Sequence, residues 1–115
     1  MKIGLKLEVD EIDELVILRL EGRLDAATSS ILDRKIQTLV DEGHFRIALD
    51  FSDLEYLSSA GMRVLLSESR KLHAKKGAFL LFSLSSEIED VLKMAGFDRI
   101  LLIFPTEKEA LQFKK

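Results

Sequence analysis

Apolar and polar residues alternate at the beginning of the chain. Ile3, Leu5, Leu7 and Val9 are apolar, and the residues between them are glycine, lysine and glutamate. This period of two predicts a β-strand with one face buried. The polar residues 10–13 that follow predict a turn.

The next segment differs from the first strand because apolar residues fall on both of its faces. From Leu15 to Leu20 only Arg19 is polar. A strand that is apolar on both faces usually lies inside a sheet. We expect this strand to end at Gly22.

Two longer segments carry apolar residues at the spacing of three and four that is typical of an amphipathic helix. We expect the first helix to have Asp25 as its N-cap and Gly43 just after its last turn. The second is expected to begin at Ser58 and Ser59. It ends in Lys75, Lys76 and Gly77, which suit the negative end of a helix dipole. The predicted inner positions are Leu32, Ile36, Leu39 and Val40 in the first helix, and Met62, Leu65, Leu66, Ser69 and Leu72 in the second.

Two further helices are predicted from capping-box patterns, in which a serine or threonine is followed three residues later by a glutamate. Ser86 and Glu89 open the third helix, which Gly96 closes. Thr106 and Glu109 open a short fourth helix just after Pro105.

Apolar runs between the helices predict the remaining strands. They cover residues 45–51, 78–82 and 100–104. The order ββαβαβαβα predicts an α/β fold whose later strands pair in parallel through helical crossovers. We expect one domain over residues 1–115, with a mostly parallel five-stranded sheet, an N-terminal strand pair and four helices. The pattern does not fix the order of the strands in the sheet.

Composition removes several classes of function. Apolar residues make up 47% of the 115 residues, which is enough for one core. The absence of cysteine excludes disulfides and thiolate chemistry. A formal net charge of −3 gives no reason to expect nucleic-acid binding. No signal peptide or membrane-spanning stretch is evident, so we expect a cytoplasmic protein without a metal or a cofactor.

The stretch Ser58-Ser59-Ala60-Gly61 combines two hydroxyls with two small residues at a predicted helix start. Capping explains one serine. It does not explain the small neighbours, which suggest that another molecule approaches closely. A phosphorylated serine would also be tolerated there, because a helix N-terminus favours an anion.

Two catalytic alternatives fit this stretch poorly. A nucleophile elbow requires Gly-x-Ser-x-Gly, and Leu57 occupies the first position. His44 and His73 are expected far from Ser59, so neither would activate it. The phosphate-binding pattern Gly-x-x-x-x-Gly-Lys-Ser/Thr is absent from the sequence.

Two segments resemble the anti-sigma factor antagonist family, whose domain is called STAS. "DFSDLEYLSSAGMRVLL" is similar to the family's strand-ending aspartate, short loop and Asp/Ser-Ser-Ser/Ala-Gly helix start. "LEGRLDAATS" resembles its Gly-x-Leu/Ile-Asp segment. The chain has Ser58 where many members have an aspartate. The resemblance implies phosphorylation of Ser59, with Ser58 as the alternative hydroxyl.

The resemblance also implies a function and a partner. Family members bind an anti-sigma factor, which is a serine kinase, and so free a sigma factor until phosphorylation causes release. A serine phosphatase then reverses the switch, and the antagonist itself is not an enzyme. The implied partner-binding residues are Arg23, Asp25, Ala26, Ser52, Asp53, Leu54, Ser58, Ala60, Gly61 and Met62, with residues 83–86 as further candidates. Other STAS roles stay open, in a different signalling assembly or as a subunit of a membrane transport system, and so does nucleotide binding.

A basic run closes the second predicted helix. It consists of Arg70, Lys71, Lys75 and Lys76. We expect a solvated helix end, and a partner site is the alternative.

Overall fold

The computed structural model describes residues 4–113 and confirms the predicted order of elements. The strands are β1 (Leu5–Ile12), β2 (Leu15–Leu24), β3 (Arg46–Leu57), β4 (Ala78–Phe82) and β5 (Leu102–Phe104). The helices are α1 (Ser29–Asp41), α2 (Ser59–Ala74), α3 (Ser86–Met94) and α4 (Glu107–Leu111), with a 3₁₀ turn at Phe97–Arg99.

The five strands form one sheet in the order β1-β2-β3-β4-β5. β1 pairs antiparallel with β2, and every later pair is parallel. The predicted α/β fold with an N-terminal strand pair is therefore confirmed. Because the later strands are parallel, the loops that lead from strands into helices meet at one edge, where sites in such sheets usually lie.

The core lies on both faces of the sheet. The larger cluster includes Leu18, Leu49 and Leu81 from the strands, with Ile36 of α1 and Leu65 of α2. A smaller cluster on the other face is formed by alternate strand residues together with Ala110 of α4. β2, β3 and β4 are thus covered on both faces, which explains their nearly continuous apolar sequences.

The predicted boundaries of the first two strands are wrong. Ile3 lies outside the described residues, whereas Asp10 and Ile12 continue β1 opposite Ile17 and Leu15 of β2. The turn is confined to Asp13 and Glu14, which both have positive φ. Polar residues belong to β1 because it is an edge strand with a solvent-facing side.

Gly22 does not end β2. It adopts φ +114°, and the strand continues to Leu24. A Cβ atom at this position would lie within 2.5 Å of the Gly4 carbonyl oxygen, so the close approach of β1 requires glycine.

β3 does not end near Phe51 but continues to Leu57. Its last buried residues, Phe51, Leu54 and Leu57, are three positions apart, and β2–β3 register shifts indicate β-bulges in this part of the ladder. The bulges replace the period of two, so alternation alone placed the end of the strand too early. Ser52, Asp53 and Leu54 consequently lie in β3 and not in a loop.

Three predicted caps are displaced by one or a few residues. Ser85, not Ser86, caps α3 by accepting a hydrogen bond from the Ile88 amide. Lys76, not Gly77, adopts the left-handed conformation after α2. Thr28 occupies the N-cap position of α1, and Asp25 caps the turn that leads into it.

The other predicted caps are confirmed. Gly43 and Gly96 have positive φ just after α1 and α3, and the Thr106 hydroxyl accepts from the Glu109 amide at the start of α4.

The buried stripe of α2 also differs from the prediction. Leu65 and Leu72 are buried as expected, but they share the interior with Gly61 and Glu68. Met62, Leu66 and Ser69 are only half-buried. The helix is therefore rotated slightly from the predicted orientation, which brings a carboxyl group into the packed interface.

Candidate functional site

The candidate site is the start of α2, where the structure separates the two serines. Ser58 alone joins β3 to α2. Its hydroxyl oxygen accepts a hydrogen bond from the Gly61 amide at 3.1 Å, and its amide donates to the Leu24 carbonyl at 3.0 Å. Ser58 is therefore the N-cap of α2 and also fastens the helix start to the end of β2.

Ser59 is the first residue of α2 and is exposed. Within the part of the chain that the structure describes, its hydroxyl has no hydrogen-bond partner. The serine pair thus contains one hydroxyl engaged in the fold and one that is accessible to another protein.

Gly61 is small for a different reason from the one predicted. It is buried, and a Cβ atom would lie 2.7 Å from the Leu24 carbonyl oxygen and 2.8 Å from Leu57 Cδ1. The molecule that approaches closely is the chain itself, at the end of β2. Leu54 is also buried, so these two residues support the predicted surface from beneath and do not form it.

Asp25 lies in the segment that β2 brings next to the start of α2. Its Oδ1 atom accepts hydrogen bonds of 3.1 Å from the amides of Ala27 and Thr28. Partial desolvation raises the pKa of Asp25, but the hydrogen bonds from Thr28 and Ala27, together with Arg23, outweigh it and hold that pKa below its usual value. Asp25 therefore presents a fixed negative charge near neutral pH.

Arg23 and Tyr56 extend this surface along the neighbouring strands. They are paired residues of β2 and β3. The Arg23 guanidinium stacks over the Tyr56 ring, 4.1 Å from its centre, and its Nε lies 3.5 Å from Asp25 Oδ2. Sequence reasoning missed Tyr56 because it placed residues 52–57 in a loop, where no register with β2 could be read.

The remaining predicted residues lie at or near the same edge. Ala26 and Asp53 are exposed, Ala60 and Met62 are half-buried, and Ser52 is exposed on β3. Ser83–Ser86 follow β4, and Ser85 is committed to capping. We define the switch face as the exposed and half-buried residues of this surface: Arg23, Asp25, Ala26, Ser52, Asp53, Tyr56, Ser59, Ala60 and Met62.

An ion network supports the switch face from the adjoining part of the sheet. Arg19 donates to Asp10 at 2.7 Å, to Asp50 at 2.8 Å and to Glu107 at 2.9 Å, and so joins β1, β2, β3 and α4. Partial burial raises the pKa of Asp50, but hydrogen bonds from the Ser52 amide and hydroxyl, and then from Arg19, lower it below its usual value. The aspartate at this position therefore holds Ser52 in place on β3.

The described residues contain no cluster of side chains suited to binding a metal ion. Among residues 4–113, no group of three or more histidine or carboxylate side chains is arranged to hold an ion. Nor does that part of the chain contain a helix with the length and apolar character needed to cross a membrane.

A model of the STAS domain family matches residues 6–110. BtrV of Bordetella bronchiseptica, which is assigned as an anti-sigma factor antagonist, is 35% identical over 114 residues and 96% of both chains.

Solved structures give the same result. TM1081 of Thermotoga maritima, assigned as an anti-sigma factor antagonist, superimposes with a TM-score of 0.88 at 25% identity over 92% of both chains. The phosphorylated form of the Bacillus cell fate determinant SpoIIAA superimposes with a TM-score of 0.71 at 27% identity, covering 92% of this chain and 96% of the other.

Proposed function

Given that this chain belongs to the STAS domain family and, within it, to the anti-sigma factor antagonists, we propose that it binds an anti-sigma factor serine kinase and thereby releases a sigma factor. The observation that carries the proposal is the exposed, unpartnered hydroxyl of Ser59 on the first turn of α2. Phosphorylation of Ser59 ends binding, and a serine phosphatase restores it.

The choice of Ser59 over Ser58 rests on hydrogen bonding. A kinase must reach the hydroxyl and align it with the transferred phosphoryl group. Ser58 cannot be turned toward a kinase without releasing the Gly61 amide, and loss of such a cap costs about 1 kcal/mol. Ser59 can be used without disturbing any hydrogen bond of the fold.

The proposed effect of the phosphate is local. It adds a charge of about −1.5 to −2, and a helix N-terminus accommodates an anion. The fold therefore needs no rearrangement. A partner docked on the switch face would have to desolvate the phosphate beside Asp25 and Asp53, which is costly unless a cation is provided. Only about 1.4 kcal/mol is needed for each tenfold loss of affinity.

The proposal assigns no catalysis to this chain. The kinase supplies ATP and magnesium, and the antagonist supplies the acceptor hydroxyl and the docking surface. We place the protein in the cytoplasm, where a sigma factor and its regulators act, and expect no direct contact with nucleic acid.

The decisive experiment combines site mapping with binding. An anti-sigma factor kinase captured with this protein from the native lysate is purified and incubated with ATP and with wild type, Ser59→Ala and Ser58→Ala. We expect phosphate on Ser59 in wild type and in Ser58→Ala, none in Ser59→Ala, and an affinity at least tenfold lower after phosphorylation. Phosphate on Ser58, or equal affinity before and after the reaction, contradicts the proposal.

Amide NMR spectra of the phosphorylated and unphosphorylated protein test the local mechanism. Large shifts should stay near residues 23–27 and 52–63. Shifts that spread through β4 and β5 would show a change of fold and refute this mechanism even if the phosphate is on Ser59.

A further inference from the structure

A groove of about 670 Å³ lies at the other end of α2, far from the switch face. One wall carries Arg70 and His73 of α2 and Lys76, which follows the helix. The opposite wall carries Ile100, Leu102 and Phe113. We call it the α2–β5 groove. It lies beside β5, which is three residues long and forms an edge of the sheet.

The apolar wall of this groove is unusually open. Ile100 is 52% exposed and Leu102 41% exposed, although both are large aliphatic residues that are normally buried. A single exposed leucine would mean little. Two exposed aliphatic side chains in one concave surface form the kind of patch that marks an interaction site.

The basic wall is also unpaired. Within the described residues, neither Arg70 nor Lys76 forms an ion pair, and the described residues that line the groove include no carboxylate. The neighbouring cations of the same basic run are occupied instead. Lys71 lies 3.3 Å from Asp33, and Lys75 stacks on Phe45. The structure therefore divides the run into cations that serve the fold and cations that are free to meet a ligand.

The placement of the cations indicates what kind of ligand fits. Arg70 lies in α2, whereas Lys76 follows the helix in a left-handed conformation. The two charges are therefore presented by different parts of the backbone, which suits a ligand with more than one anionic group. The groove lies at the carbonyl end of α2, so it lacks the free amide donors of a helix N-terminus that commonly bind a phosphate. Several separated carboxylates on an apolar chain match this surface better.

We propose that the α2–β5 groove is a second docking site, which binds an acidic, apolar segment of another protein. Its leucine-like side chains lie against Ile100, Leu102 and Phe113, and its carboxylates pair with Arg70 and Lys76. The groove is about 20 Å from Ser59, from the rise of 1.5 Å per residue along α2. A partner can therefore occupy it while the switch face is bound or phosphorylated, and the site does not depend on the proposed function.

The test uses a labelled short peptide that contains three glutamates and three leucines separated by serine and alanine. Fluorescence anisotropy measures its affinity for wild type, for Arg70→Glu/Lys76→Glu and for Ile100→Ser. Arg34→Glu, at an exposed position on α1, is the matched control. Amide NMR maps the bound peptide and shows that each variant is folded.

We expect amide shifts at residues 69–79 and 100–102, and binding that weakens as salt is added. The double charge reversal should weaken binding at least tenfold and Ile100→Ser severalfold, while Arg34→Glu changes it less than twofold. A peptide with glutamine in place of glutamate should bind at least tenfold more weakly.

Phosphorylation of Ser59 should leave peptide binding unchanged. The proposal is overturned if the peptide does not bind, if the glutamine peptide binds equally well, or if Arg34→Glu weakens binding as much as the double charge reversal does. It is also overturned if micromolar laurate, phosphate or ATP displaces the peptide. Displacement by any of these would identify the groove as a site for a small anionic molecule.

Discussion

The two ends of α2 show how one helix can carry two chemically different surfaces. At its N-terminal end, Ser58 and Gly61 are small, and the backbone at the end of β2 packs closely against both. At its C-terminal end, cations and exposed aliphatic residues border an open groove. At the first end, Ser58 and Gly61 are committed to internal contacts while Ser59 stays exposed, whereas the second end borders an open groove.

Small residues alone do not indicate an open surface. Gly61 and Gly77 lie at opposite ends of α2, and both are required by internal packing. Accessibility is indicated better by side chains that have no partner among residues 4–113, such as Ser59 at one end and Arg70 at the other.

The largest effect is expected from filling the space at the two glycines. A Cβ atom at Gly77 would overlap the Phe45 carbonyl oxygen, and one at Gly61 would lie 2.7 Å from the Leu24 carbonyl oxygen. We expect Gly77→Ala to lower the free energy of unfolding by about 3 kcal/mol. Gly61→Ala should lower it by only about 1–2 kcal/mol, because the higher helix propensity of alanine partly offsets the steric cost at position 61. Urea denaturation measures both.

Ser67→Ala, at an exposed position of α2, is the control and should change the free energy by less than about 0.5 kcal/mol. If Gly61→Ala is as stable as this control, the start of α2 is not closed by packing and the contrast between the two ends is wrong.

The second prediction concerns Glu68, which lies in the middle of α2 and is 1% exposed. Burial, and then a hydrogen bond with Asp33, raises the pKa of Glu68 to about 8. Between pH 4.5 and about 8 the folded state retains a proton that the unfolded state has lost. The free energy of unfolding should therefore fall as pH rises through this window.

Glu68→Gln should remove this fall, because glutamine does not titrate, and should be more stable than wild type above pH 8. Denaturation at several pH values measures the effect, which we expect to be on the order of 2 kcal/mol across the window. Asp33 changes stability in the opposite direction with pH. Its pKa is lowered in the folded protein, so the stability that its carboxylate contributes is lost only as pH falls through that lowered pKa. Equal pH slopes for wild type and Glu68→Gln would show that Glu68 is ionised in the folded protein.

The third prediction separates the two serines at the N-terminal end. Ser58→Ala should lower the free energy of unfolding by about 1 kcal/mol, because the Gly61 amide loses its acceptor. Ser59→Ala should change it by less than about 0.5 kcal/mol, because no hydrogen bond is lost. Thermal denaturation of both variants checks the difference, and equal losses would mean that both hydroxyls serve the fold.

The smallest effect on stability is expected at Asp25. Asp25→Asn retains an oxygen that can accept from Ala27 and Thr28 but removes the charge beside Arg23. The loss of stability at neutral pH should be smaller than that of Ser58→Ala, and it should vanish as pH falls through the lowered pKa of Asp25.

Affinity for the anti-sigma factor is measured on the same Asp25→Asn sample. Asp90→Asn, at an exposed position of α3 outside the switch face, is the matched control. A loss of affinity at Asp25 that exceeds the control supports its place on the switch face. No change in affinity leaves Asp25 with only its capping role.

Local sequence signals determined the order of elements, the parallel arrangement and the position of the serine pair at the start of α2. Period, glycine and capping patterns reflect interactions within a few residues, so they can be read without knowing the fold. The candidate residues at the start of α2 and after β2 could be predicted for the same reason, with help from a family resemblance.

The tertiary structure decided the features that depend on distant residues. Bulges against β2 extended β3 to Leu57 and paired Tyr56 with Arg23. Packing on Leu24 explained Gly61, and rotation of α2 buried Glu68 beside Asp33. Asp33 contacts Lys71 and Phe45 contacts Lys75, and only these tertiary contacts distinguish the two lysines from Arg70 and Lys76 in the basic run. Each of these depends on contacts between segments far apart in sequence, and local patterns do not encode which partner a side chain will meet.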